Sequence, residues 1–308
     1  MEFYGVKLPL VKQGDDYVKI IVDAINQSGH TIEEKDIIVI ASKIVSSALG
    51  MMVDISKIKP SAKARAIAKK YGLNPSHIQL ILNEADEVYG AVAYQNPKFI
   101  VYWTRKGEAF EINSGVDIKN SPIGMETVDI PEPNKVASEI RRRVQELTGR
   151  ERVGILIIDS NWYPLRNGSI GFTVGLSGFE PVKNCTVDEN GKPAFDIYGR
   201  PVPLARHNVA DDIAAGAHLL VGEAGERVGV VIAKNTPAQF SDNPDYGALY
   251  LTPKECTIMR TFKPTRKIAL RKQWRDSEPV PQVASAPAQQ QIAAPVAAHR
   301  GGKSGKKK

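Results

Sequence analysis

The chain has 308 residues, 42% hydrophobic, 7% aromatic and 24% charged, enough to bury one sizeable core or two small ones. Its two cysteines, Cys185 and Cys256, carry no Cys-x-x-Cys or Cys/His cluster around them, which argues against a disulfide scaffold and a zinc module and fits a reducing cytoplasm. Of the net charge of +7, six units fall in residues 271–308, so the body is nearly neutral and is not expected to bind nucleic acid.

In chain order, the amino terminus reaches Asp15 and Asp16 before any long apolar stretch. No later apolar run approaches the roughly 20 residues of a membrane span, so neither secretion nor insertion is expected. Val18, Ile21, Val22 and Ile25 have the spacing of an amphipathic helix over 15–27, stopped by Gly29. The run from Asp36 to Ser42 is a short β-branched strand suited to burial on both faces, and its small final residues leave room for a site. Pro60-Ser61 and Asn74-Pro75-Ser76 open two helices reaching about Tyr71 and Ala85. KFIVYW, the turn at Lys106-Gly107 and AFEINSG read as a hairpin leading into NSGVDIKN.

A helix from about Lys135 to Leu147 precedes the clearest buried strand, Arg152 to Ser160, with Asp159 just past its apolar run. Gly168, Gly171, Gly175 and Gly178 then punctuate an extended segment, which suits close approach by another strand or a ligand, or tight sheet packing. A helix from about Asn208 to Val221, the turn GEAGE and the strand VGVVIAK complete the body. Helices and strands with hairpins, in place of strict alternation, predict an α+β fold with mixed sheets that is neither doubly wound nor P-loop. The Ala/Pro/Gln-rich segment 271–308 is expected to be disordered, its terminal lysines offering at most weak, salt-sensitive contacts to nucleic acid or an acidic partner. Gly301–Ser304 mimics the end of a phosphate loop, but no strand precedes it and no helix follows.

Two aspartates stand out, Asp117 in NSGVDIKN and Asp159 in IIDSN, each after strand-like sequence and beside small polar residues. Carboxylates so placed can bind Mg²⁺ or Mn²⁺ and leave positions open for phosphate. The alternative is that each caps its own turn.

The ordered pieces LPLVKQGDD (8–16), ASKIVS (41–46), KPSAKARAIAKKYG (59–72), IQLILNEADEV (78–88), NSGVDIKN (113–120), RNGSIGFTVGLSG (166–178), DIYGRP (196–201) and VADDIAAGAHLLVGEAGE (209–226) resemble the coenzyme F420-0 γ-glutamyl ligases. The resemblance implies a cytoplasmic, homodimeric, GTP-dependent amide ligase with that family's fold over 1–255, followed by a connecting segment at 256–270. Such an enzyme joins the α-amine of L-glutamate to a carboxylate of coenzyme F420-0 through an acyl phosphate, with Mg²⁺ or Mn²⁺, two divalent ions in all, and K⁺ as a further cofactor. It further implies Asp117 and Asp159 as catalytic metal ligands, with Ser160 and Glu223 completing the metal set. Leu8, Pro9, Leu10, Val11, Ser42, Ser47, Asn120, Gly222 and Glu223 fall at its nucleotide-binding positions. For Ser42 and Asn120, capping of a turn or helix is the competing reading.

The chain also departs from the family pattern. Ser47 and Leu49 stand where the family has lysine and glutamate, Trp162-Tyr163 replaces Gly-Arg, Glu132-Pro133-Asn134 replaces Asp-Pro-Asp, and Cys185–Phe195 reads as an insertion. If 43–47 is extended, Lys43 stands about 13 Å from position 47 and does not replace the missing lysine automatically. Two further readings follow: a ligase acting on another carboxylate acceptor, and a nucleotide- and metal-binding protein without turnover.

Overall fold

The computed structural model describes residues 1–95, 97–261 and 268–271. Apart from Arg271, the segment 271–308 expected to be disordered, with its Gly301–Ser304 mimic, lies outside the described residues.

The chain opens with β1 (Glu2–Lys7) and α1 (Tyr17–Gln27). Asp16 caps α1 by accepting from the Lys19 amide, and the predicted face of Val18, Ile21, Val22 and Ile25 is buried. β2 (Ile37–Ala41) runs directly into α2 (Ser42–Ala48), then β3 (Met52–Asp54). α3 (Ala62–Tyr71) and α4 (Pro75–Glu84) begin within the two predicted openings, capped by Ser61 and by Asn74; α3 ends at Gly72, which supplies the left-handed φ of 71°. β4 (Glu87–Gln95), β5 (Lys98–Lys106), β6 (Ala109–Ile112) and β7 (Met125–Thr127) follow, and then α5 (Pro133–Thr148). The last part holds β8 (Gly154–Trp162), β9 (Ser169–Ser177), β10 (Val182–Asn184), β11 (Arg206–Asn208), α6 (Val209–Val221), β12 (Val228–Lys234) and β13 (Ile268–Arg271). Ile268–Arg271 forms a strand parallel to β4, which corrects both the expectation that 256–270 merely connects and, at Arg271, the start of the segment expected to be disordered.

The main sheet has the order β1-β12-β2-β8-β9. Its two central apolar strands, β2 and β8, are parallel, whereas β12 and β9 pair antiparallel on either side, which makes the sheet mixed. Alternation sends Ile38, Ile40, Ile155, Ile157, Val230 and Ile232 to the face covered by α1 and α5. Ile37, Val39, Leu156, Ile158 and Val231 meet α6 and Phe179 on the other. Full burial of each such side chain contributes about 1.5–3 kcal/mol before entropy is counted. A second sheet, β13-β4-β5-β6, packs on α3 and α4 through Ala91, Ala93, Ile100 and Tyr102.

Gly171 and Gly175 lie in β9, with Gly168 and Gly178 flanking it, and the close neighbours of the two inside the strand are helices. A Cβ on Gly171 would lie 2.5 Å from the Ala214 carbonyl of α6, and one on Gly175 2.6 Å from Pro133 at the start of α5. No helix among the described residues is long and apolar enough to cross a membrane.

Candidate active site

β2 and β8 are parallel neighbours with Ala41 opposite Ile158, so the next residues, Ser42 and Asp159, emerge side by side. The Ser42 hydroxyl donates to Asp159 Oδ2 at 2.5 Å, and the Ser160 amide donates to Asp159 Oδ1 at 2.7 Å. β8 does not stop at Asp159: past a bulge at Ile157/Ile158 it continues antiparallel to β9 as far as Trp162. The strand continues because Gly171 and Ser169 of β9 still offer pairing partners there. Trp162 thus ends a strand, and Tyr163 begins the loop.

Asp117 arrives from the second sheet. Before it, Asn113, Ser114 and Gly115 take left-handed φ values of 55°, 51° and 70° in succession, a strained 3-10 turn that reverses the chain after β6. Gly115 is required there, because a Cβ would overlap the Asp129 carboxylate. Asp117 then bridges Thr127 through two backbone hydrogen bonds. The Lys43 ammonium lies 2.9 Å from Asp117 Oδ2 and donates to the Thr127 hydroxyl at 2.7 Å.

This contact corrects the expectation that 43–47 is extended. Residues 42–48 form α2, so Lys43 and Ser47 are one helical turn, about 6 Å, apart. Lys43 therefore occupies the neighbourhood that a lysine at 47 would serve. Ser47 is buried, with its hydroxyl turned back on the Lys43 carbonyl at 2.6 Å.

The third approach is the turn after α6. Gly222 ends the helix with φ 75°, and a Cβ there would strike the Glu226 side chain. Glu223 accepts from Lys119 at 2.5 Å, from His218 Nε2 at 2.8 Å and from the Ser169 hydroxyl. Partial burial pushes its pKa up, but hydrogen bonds from Lys119, Ser169 and Ser160 prevail and hold it at about 2. The Asn120 amide donates to the Ala224 carbonyl at 2.9 Å, fastening the Asp117 loop to this turn, and the Leu8 amide donates to Arg227 at its far end. Leu8 and Val11 are buried, while Pro9 and Leu10 are exposed.

The structure thus gathers Ser42, Asp117, Asn120, Asp159, Ser160, Gly222 and Glu223 into one linked region, with the Leu8–Val11 segment beside it. Ser47 turns away. Asp159 is open to solvent on one side and surrounded by protein on the others. That crowding raises its pKa; the Ser42 and Ser160 hydrogen bonds and Lys43 oppose the shift, and the Asp117 charge adds to it. Behind it, burial and the Asp129 carboxylate push Glu111 well above the usual carboxylate range, and its Oε1 is buried without a partner. Lys106 holds Asp129 at 3.2 Å and Glu84 at 2.6 Å.

Lys43, Lys119, Thr127, Ser169, His218, Glu111 and Asp129 were not singled out as site residues from the sequence. Lys43 and Lys119 sit next to or two residues from chosen positions, and that adjacency was their signal. The others are brought in only by pairing between distant segments.

Among the described residues no three His, Cys, Asp or Glu side chains converge as a ready metal cage. The donor chemistry nevertheless suits a hard divalent ion in an open site: carboxylates on Asp117, Asp159 and Glu223 with hydroxyls on Ser42 and Ser160, at positions where the ammonium groups of Lys43 and Lys119 now lie against Asp117 and Glu223.

A model of the family described as F420-0:Gamma-glutamyl ligase matches residues 5–235. The chain is 36% identical to the coenzyme F420:L-glutamate ligase of Methanothermobacter thermautotrophicus over 82% of its own length and 96% of that protein. For the enzymes of the same name from Methanococcus maripaludis and Archaeoglobus fulgidus the identities are 35% and 31%, with 97% and 95% of those proteins covered. The matched span runs from within β1 to the end of β12 and contains every residue of the site, and on these grounds the chain belongs to the F420-0:gamma-glutamyl ligase family.

Proposed function

We propose that this ligase joins L-glutamate, through its α-amine, to a carboxylate of coenzyme F420-0 at the expense of GTP. The observation that carries this reading is the meeting of Asp117, Asp159 and Glu223 with Lys43 and Lys119 at the ends of β2 and β8. Carboxylates and ammonium groups interleaved in one partly exposed cluster suit a reaction between anions, where charge must be neutralised as phosphate is transferred.

Asp117, Asp159, Ser160 and Glu223 would hold Mg²⁺ or Mn²⁺, which when bound neutralises charge between phosphate and acceptor oxygens. Leu8, Val11, Ser42 and Asn120 line the approach for the nucleotide. Lys43 and Lys119 stand ready to exchange their carboxylate partners for phosphate oxygens. Transfer of the γ-phosphoryl group to the acceptor carboxylate forms a C–O–P bond and releases GDP. The glutamate amine then attacks that carbonyl, an amide forms, the amine loses a proton and phosphate departs.

The departure at Trp162-Tyr163 favours one second reading, a different carboxylate acceptor, because two bulky side chains replace the glycine and arginine of the family two residues from Ser160. Mass spectrometry of a reaction containing GTP, Mn²⁺, glutamate and the short-tailed coenzyme tests the first reading by the mass of one added glutamate. No added mass, with phosphate release stimulated by another carboxylic acid, selects the second.

A further inference from the structure

β7 has three residues, and it pairs with β3 and, at Thr127, with the backbone of Asp117. So short a ladder specifies its register weakly, and a slip of one position would exchange its two faces. Those faces have different duties. Thr127 turns to α2, where its hydroxyl accepts from the Lys43 ammonium at 2.7 Å and lies 2.7 Å from the Ser121 hydroxyl. Glu126, one residue earlier, turns to α4, where its Oε2 lies 2.8 Å from His77 Nδ1.

The Glu126 side chain is 4% exposed and that of His77 14%. Burying a carboxylate is costly unless it is paired and hydrogen-bonded, and among the described residues His77 is the one hydrogen-bond or ion-pair partner of this one. A carboxylate accepts, so the hydrogen lies on Nδ1 of the ring. The ring stands on a firm support: Ile78 and Ile81 of the same helix are fully buried in the core beneath the second sheet, and the Ser76 hydroxyl donates to the Ile58 carbonyl at 3.2 Å. With Glu126 tied to α4, Thr127 is left facing α2. Its two backbone bonds to Asp117, at 2.9 and 3.0 Å, carry that register into the aspartate, and Lys43, 2.9 Å from Asp117 Oδ2, closes the circuit.

We propose that His77 is a positioning residue for the site: through Glu126 it sets the register of β7, and through Thr127 it fixes Lys43 and Asp117 against each other. This rests on the reading of that pair as part of the nucleotide and metal site. His77 touches neither substrate nor metal. Its part is to keep an ammonium group and a carboxylate in one geometry before the anionic substrates arrive, so that they are not reordered when phosphate is bound.

The test uses three variants of the full chain: His77→Ala, His77→Asn, whose amide can donate from the place of Nδ1, and the double variant His77→Ala/Glu126→Gln, which leaves no unpaired buried charge should the single one fold poorly. The first measurement is amide hydrogen exchange with no ligand present. The peptides carrying Asp117 and Thr127 should exchange about tenfold faster in His77→Ala and in the double variant, with β2 and β8 as protected as in wild type and His77→Asn close to wild type throughout. The second is calorimetric titration with GTP and Mn²⁺, where the same two variants should bind about five- to tenfold more weakly and His77→Asn should bind as wild type does. Faster exchange at Asp117 and Thr127 in a protein whose wild type binds no GTP would overturn the proposed reaction and leave the positioning role standing. Unchanged exchange at those two residues, loosening that stays within α4, an equal loss of protection in β2 and β8 in the double variant, or full GTP affinity in the double variant would overturn the positioning role.

Discussion

Asp117 and Asp159 differ in what surrounds them, and the difference sets what each substitution should do. Asp117 is paired with Lys43, while Asp159 is held by Ser42 and its own neighbour's amide. A partly exposed carboxylate contributes little to folding when no cation is bound, so Asp117→Asn and Asp159→Asn should each weaken Mn²⁺-dependent GTP binding at least about tenfold while moving Tm by no more than a few degrees. Calorimetric titration and thermal melts of the same samples separate the two effects. Glu111 leads to a pH prediction. Burial raises its folded value above its unfolded one, so the folded state binds more protons than the unfolded state above the ordinary carboxylate range. Stability from this group is full at low pH and is lost as pH rises through that window. Glu111→Gln should therefore flatten the fall in Tm between about pH 5 and pH 8, and an unchanged slope would contradict the buried acid. Glu223 has the opposite sign: its depressed pKa adds stability at neutral pH that is lost only as pH falls towards about 2. Asp117 and Asp159 were legible because small polar residues follow strand-like sequence at both. The Glu111–Asp129 pair was not, since neither residue carries a local signal and their meeting depends on Gly115 admitting the Asp129 carboxylate.

Helices were the more legible elements. The openings at Ser61 and Asn74 are local chemistry and both cap their helices where the sequence predicts a start, while Asp16, Gly72 and Gly149 add caps of the same local kind. α2 was missed because it has seven residues and two β-branched members, Ile44 and Val45, next to a β-branched strand. Its helical form puts Lys43 on the site and makes the loss of lysine at 47 less consequential. β9 provides the element-scale prediction. Its Gly171 meets the α6 backbone so closely that an added methyl has nowhere to go, and α6 carries His218 and leads directly to Glu223. Gly171→Ala should cost about 1–3 kcal/mol, read as a lower urea midpoint at unchanged slope. It should also lower metal-dependent activity by displacing Glu223, while an exposed control such as Gly225→Ala, where a Cβ meets nothing within 4 Å, should leave stability near wild type.

For the whole molecule, the uneven charge makes a separate prediction. Six of the seven net positive units lie in residues 271–308, and the matched family span ends at 235. Removing residues 272–308 should leave Tm, GTP binding and glutamate transfer unchanged, while abolishing any salt-sensitive retention on heparin. Loss of GTP binding in that truncation would assign the tail a role in the site. Sequence by itself determined the helices, the doubly buried strands β2 and β8, the family and the two aspartates, because periodicity, capping and motif order are local properties that survive without knowing what packs on what. Tertiary structure alone decided that β2 and β8 run parallel with Ala41 opposite Ile158, that Lys43 reaches Asp117, and that Asn161 fastens β6 to the carboxylate strand. Those facts depend on pairing and register between segments tens of residues apart, and a shift of one position would turn every one of these side chains to the opposite face.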